Sequence, residues 1–268
     1  IEQINPVATL TEGYVNEEEA RHVRMLYAEK ITMVDKWIGK FIDRLKELDL
    51  YDNSLIVFLS DHGEPLGDGE HGHGIMRKCR PWPYEELSHI PLIIKHPEGM
   101  KGRVSSFVET VDVAATIMDH VKETTTPLAI LINFANPHGD DGGIQGKSLL
   151  PLMRGKVDKV KEFAITGYFN LSWSIVAEDW TYIHWLDDKE DHDELEKAAT
   201  VGLQNMVEDE NIWTCAPGEK AETPFKDELY DRKNDPYQLN NLVDSQPEVA
   251  REMLQRLMDY MIELKAEG

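Results

Sequence analysis

Apolar residues in the first part of the chain recur at steps of three and four. Tyr27, Ile31, Val34, Ile38, Phe41, Leu45 and Leu48 fall on one face of a helix that runs from about Asn16 to Leu48. The polar stretch "DLYDN" ends that pattern, and "SLIVFLS" at 54–60 follows as a continuous apolar run. A run of this kind, bounded by turn residues, suits a strand covered on both faces, as in a parallel sheet. "PLIIKHP" at 91–97 reads the same way, and "PLAILINF" at 127–134 supplies a further strand. Between them, "ETVDVAATIMDHV" predicts a short amphipathic helix with Thr110 as its N-cap.

The periodicity changes after about residue 160. "EFAITGYF" and "WSIVAEDWTYIHWL" read as strands, the second a hairpin turning near Glu178 and Asp179. "DDKEDHDELE" at 187–196 reads as a solvated acidic surface rather than a metal cage. A closing helix follows, with Pro247 in its first turn and Val249, Leu254, Leu257 and Met261 on one side. Helices alternating with buried strands define an α/β architecture, here a mostly parallel sheet flanked by helices over 1–160. Residues 161–268 form a small antiparallel α+β subdomain with the closing helix.

Composition narrows the partners. At 268 residues, with 41% hydrophobic and 29% charged residues, the chain can bury a substantial core. A net charge of -22 argues against nucleic acid and against anionic membrane, both of which would repel such a surface. Cys79 and Cys215 are the only cysteines, which excludes a disulfide framework. No apolar run reaches the ~20 residues that span a bilayer. No signal peptide is visible at the start, so a cytoplasmic chain is the expectation, although a chain beginning at Ile1 also suits a processed product. Oligomeric state is not encoded in any of these features.

Chemistry concentrates in "SDHGEPLGDGEHGHGIMRK", residues 60–78. Asp61 and His62 follow a strand, where open α/β sheets bind ligands. A carboxylate and an imidazole on adjacent residues can reach one divalent cation if the backbone turns sharply, and Gly63 permits such a turn. A plain Asp-His-Gly turn with Asp61 as a cap is the other reading of the tripeptide. Downstream, Lys78 offers three donors to a tetrahedral oxyanion. His73 can donate to the same anion or protonate a departing oxygen. His71 could exchange roles with His73, or lie on the surface. A metal beside a histidine and a lysine fits hydrolysis of a sulfate or phosphate ester.

Five blocks carry a family resemblance. "YAEKITMVDKWIGKFIDRLKELDLYDNSLIVFLSDHGEPLGDGEHG" and "KCRPWPYEELSHIPLIIKHPEG" come first, and "TVDVAATIMD", "IQGKSLLPLMRGK" and "ELYDRKNDPYQLNNL" follow in order. Together they resemble the sulfatase family of the alkaline phosphatase superfamily. The resemblance implies an alkaline-phosphatase-like sheet and hydrolysis of a small-molecule or saccharide sulfate ester. It makes Asp61 and His62 a pair of ligands to one divalent cation, calcium by the family's habit, with manganese or zinc open. It makes His73 and Lys78, in "HGIMRK", contacts to the ester and its leaving oxygen, with His71 as a further substrate contact. Glu85 and Glu86 receive no catalytic role.

The family's second metal pair, Asp-Asp, and its Cys/Ser-x-Pro-x-Arg segment have no counterpart here. The first residue of that segment becomes formylglycine, the nucleophile. "CRPWP" at 79–83 and "CAPGE" at 215–219 begin Cys-x-Pro but lack the arginine. "PLAILINFANPHG" at 127–139 resembles a segment the family places before the long helix, which leaves His138 as a loop histidine or a displaced anion contact. The chain thus reads as the C-terminal half of a sulfatase, inactive alone. A phosphodiester or phosphonate monoester hydrolase and a non-catalytic sulfatase-like domain are the alternatives.

Overall fold

The long N-terminal helix begins where its cap chemistry says it should. Asn16 Oδ1 accepts from the Glu19 amide at 3.0 Å, and the Glu19 carboxylate accepts from the Asn16 amide at 2.9 Å, a reciprocal capping box. Helix α1 then spans Glu17–Glu47, with glutamates in its first turn and Arg44 and Lys46 in its last, the order that suits the helix dipole. This computed structural model describes residues 16–67, 73, 83–124, 146–168, 172–185 and 226–267. The strand expected at 127–134, the acidic stretch at 187–196, both cysteines, His138, His71 and Lys78 lie outside the described residues.

The predicted apolar stripe of α1 exists but is largely uncovered. Ile31, Val34 and Phe41 are 54%, 47% and 57% exposed, and Trp37 on the same helix is 61% exposed. Strand β1 (Ile56–Leu59) follows, then α2 (Glu85–Ser88) and β2 (Leu92–Lys95). β1 and β2 pair antiparallel, with Ile56 opposite Lys95 and Leu59 opposite Leu92. No parallel pair occurs among the described residues. The α/β class stands, but the direction of this pair differs from the expectation, because a continuous apolar run reports coverage and not strand direction. Lys95 Nζ donates to the carbonyls of Asp52 and Ser54 at 2.7 and 3.1 Å, which fastens the turn after α1 to the end of β2.

Helix α3 spans Thr110–Thr124, so Thr110 is its first residue rather than its N-cap. The capping carboxylate belongs to Asp112, which is fully buried. One of its oxygens accepts the Glu109 amide and the other the Lys147 amide, each at 2.7 Å. Lys161 Nζ lies 2.9 Å from the same side chain, so the buried charge is paired. Thr116 Oγ1 accepts the Leu149 amide at 2.9 Å. These bonds hold the short α4 (Leu150–Met153) against α3.

The last sheet runs β3 (Ala164–Tyr168), β4 (Ser172–Val176), β5 (Trp180–Trp185) and β6 (Glu228–Asp231), antiparallel throughout. The turn at Ala177–Asp179 agrees with the hairpin read from sequence, while β6 was not foreseen as a strand. Alternation sorts its side chains onto two faces. Tyr182 and Leu229 join Ile175 against Ala250, Met253 and Leu257 of the closing helix α5 (Pro247–Glu267). Ile183, Trp185 and Tyr230 point the other way and enclose Tyr84.

Candidate active site

Asp61 and His62 leave the C-terminal end of β1 in a turn built by short-range bonds. Asp61 Oδ1 accepts the His62 amide at 3.0 Å, and Ser60 Oγ donates to the His62 carbonyl at 2.6 Å. Gly63 is required here for close approach, not for a positive φ. Its amide donates to the Leu87 carbonyl at 2.7 Å, and a Cβ would collide with the Glu86 carbonyl. The turn is therefore pressed against α2.

The imidazole of His62 has a defined tautomer. Nδ1 lies 2.7 Å from the Gly63 carbonyl, which can only accept, so Nδ1 carries the proton. Nε2 lies 3.6 Å from Asp61 Oδ2. Histidines that ligate metals through one nitrogen usually donate the other N–H to a backbone carbonyl or carboxylate. This donor pair fits two positions of a divalent cation's coordination. Among the described residues no group of three or more ligating side chains occurs, so these two are a partial set.

Both residues line an open cleft of about 1670 Å³, with Glu85, Arg103 and Arg232 elsewhere on its wall. Arg232 Nε donates to Glu85 Oε1 at 2.8 Å. Burial alone would raise the Glu85 pKa, but hydrogen bonds from His89 and Arg232 outweigh it and hold the carboxyl at about 2. His89, in turn, is shifted upward by its bond to Glu85. Both glutamates of "YEEL" are thus occupied in holding structure: Glu85 by Arg232, and Glu86 by the backbone of His73 at 3.2 Å.

His73 sits away from solvent, its ring stacked on Tyr84 with centroids 3.5 Å apart and planes 2° from parallel. Its Nε2 is 2.7 Å from the Gln238 carbonyl, and its Nδ1 is buried without a hydrogen-bond partner. Nδ1 lies 3.6 Å from Glu86 Oε1. Tyr84 continues inward to Glu228, whose buried carboxylate accepts from Tyr84 Oη at 3.0 Å, from Trp185 Nε1 at 3.0 Å and from the Tyr230 hydroxyl. Burial pushes the Tyr84 and Tyr230 phenols well above their ordinary range, and the Glu228 charge adds to it. Sequence reasoning missed this cluster; the period-two spacing of Glu228 and Tyr230 was its only trace.

A strand-end Asp-His pair thus lies beside a cleft in an α/β frame. Residues 5–123 match the model of the Sulfatase family. The chain is 25% identical over 264 residues to an arylsulfatase of Clostridium perfringens, covering 96% of this chain and 43% of that protein. It is 34% identical over 150 residues to the multifunctional alkaline phosphatase superfamily protein PehA of Trinickia caryophylli, covering 54% of this chain and 24% of that protein. Among solved structures, the phosphonate monoester hydrolase of Agrobacterium radiobacter superposes with a TM-score of 0.65 at 19% identity, covering 92% of this chain and 43% of that one. The chain is thus similar to the Sulfatase family over residues 5–123 and to an arylsulfatase over most of its length. It spans less than half the length of these relatives.

Proposed function

We propose that this chain supplies one half of a sulfate ester hydrolase site. The observation that carries the reading is the Asp61–His62 pair at the end of β1, with His62 Nδ1 held 2.7 Å from the Gly63 carbonyl, inside the segment that matches the Sulfatase family. Asp61 and His62 would hold a divalent cation, which supplies charge to polarise an ester oxygen and to lower the pKa of a nucleophile. His73, Lys78 and His71 are assigned to the anion, where a fixed cation stabilises charge that grows on the leaving oxygen. The substrate is a small-molecule or saccharide sulfate ester. No Cys/Ser-x-Pro-x-Arg segment occurs among these 268 residues, so this reading places the nucleophile on a complement to the chain. The open stripe of α1 and the exposed Phe58, Leu59 and Ile93 of the β1–β2 pair leave room for such a complement.

Hydrolysis of a phosphodiester or phosphonate monoester is the second reading. It is favoured by the imidazole at position 62, because nitrogen ligands suit manganese, iron or zinc, whereas calcium prefers oxygen. Metal analysis of the chain, with paired assays on p-nitrophenyl sulfate and bis-p-nitrophenyl phosphate once it is joined to a sulfatase segment bearing the nucleophile, separates the two. The first reading requires the sulfate to turn over; turnover of the phosphodiester alone replaces it with the second.

A further inference from the structure

His96 is the first residue after β2, and it is a histidine buried at 2% exposure. Its backbone and its ring both hold the turn that follows. The His96 carbonyl accepts the Gly99 amide at 3.0 Å, with Gly99 at a φ of 71°, and His96 Nδ1 accepts the Glu98 amide at 3.2 Å. The far side of the ring reaches α3. His96 Nε2 lies 3.0 Å from His120 Nδ1, and the two rings meet edge to face with centroids 4.8 Å apart. The chain leaves the turn as residues 100–104, which line the same cleft as Asp61 and His62.

These bonds fix where the protons sit. An amide N–H only donates, so Nδ1 of His96 holds a lone pair and the neutral ring carries its proton on Nε2. That proton is donated to His120 Nδ1, so a neutral His120 carries its own on Nε2. The charged groups around the pair are Glu98 in the turn, Glu123 near the end of α3 and Arg154 after α4. Arg154 Nε and Nη2 donate to Glu98 at 3.1 and 2.7 Å, and its Nη1 and Nη2 to Glu123 at 2.9 and 2.7 Å. Among the described residues these carboxylates pair with Arg154 and not with either imidazole. A proton added to His96 must go to Nδ1, where it meets the Glu98 N–H. One added to His120 must go to its Nδ1, where it meets the His96 N–H. Either event breaks a bond. Burial works in the same direction and holds the His96 imidazole below its ordinary 6.5; Glu98 and Glu123 oppose it, while His120 and Arg154 add to it.

We propose that His96 and His120 form an acid-sensitive latch, which fastens the turn after β2 to α3 while both rings are neutral and releases it when the pair takes up a proton. The latch sets how firmly one wall of the cleft is held, whatever ester the cleft accepts. Nitrogen-15 NMR of the histidine-labelled 268-residue chain tests it without any activity. At about pH 8 both rings are expected to be protonated on Nε2 alone. On acidification His96 is expected to charge only below the ordinary 6.5, and the Glu98 amide resonance to shift with the same midpoint. Urea unfolding gives a second reading, because His96→Gln keeps a donor in the place of Nε2 and cannot titrate. A histidine that is neutral when folded and ordinary when unfolded favours the unfolded chain by about tenfold as pH falls from about 7.5 to about 5.5. Wild type is therefore expected to lose about tenfold more of its folding equilibrium constant over that interval than His96→Gln. Either ring protonated on Nδ1 at about pH 8, His96 charging at or above 6.5, or equal losses in the two proteins overturns the proposal. So does a Glu98 amide that ignores the charging of His96. Should His96→Gln fail to fold, the wild-type spectra decide.

Discussion

Gly63 shows how one missing methyl group sets the candidate metal pair. Its Cα lies so close to the Glu86 carbonyl that any side chain must push α2 away from the Asp61–His62 turn. Gly63→Ala is expected to cost about 1–3 kcal/mol, the range for overpacking, measured by thermal or denaturant unfolding. Glu85 gives a pH signature. Its folded pKa of about 2 lies below the ordinary 4.5, so its contribution to stability is complete above about 4.5. It is lost as pH falls from there towards 2. Stability of wild type should therefore decline across that window more steeply than that of Glu85→Gln, which removes the group. Equal slopes in urea titrations would contradict the assignment. The strand-end placement of Asp61 and His62 was legible in the sequence because the apolar run of β1 stops just before them. Gln238 was not legible, since its contribution is mainly a carbonyl, and carbonyls carry no residue identity.

At the scale of elements, α5 and β3–β6 stabilise each other through apolar burial. Leu257 is 1% exposed within that core, and Leu257→Ala is expected to cost about 2–5 kcal/mol by calorimetry. On the opposite face, Glu228 gathers three donors from β5, β6 and the residue before α2. Removing it leaves two phenols and an indole N–H without an acceptor, so Glu228→Ala should cost on the order of 3 kcal/mol. Helix α1, the β4–β5 hairpin and α5 could be read from sequence because each has a single period sustained over its length. Strand β6 could not. Glu228 on it is a charged residue turned into the protein, and its partners are 144 and 43 residues away. The antiparallel direction of β1 and β2 was hidden for a related reason. Apolar runs look alike in either direction, and the pairing is settled by contacts distant in sequence.

The whole molecule combines a well-packed C-terminal sheet with apolar surfaces left open around α1 and β1–β2. No described helix is long and apolar enough to cross a membrane. These features agree with a chain that provides cation ligands and an anion loop to a larger hydrolytic site. Hydrolysis of p-nitrophenyl sulfate tests that account most directly. It would be measured for the 268-residue chain alone and for the same chain joined to a sulfatase segment bearing the nucleophile and the Asp-Asp pair. Each would be assayed as wild type, Asp61→Asn and Lys78→Ala. The account predicts no turnover by the chain alone, turnover by the joined protein, and loss of at least about 100-fold in either variant. Turnover by the 268-residue chain that disappears on Lys78→Ala, or joined protein indifferent to both substitutions, would contradict it.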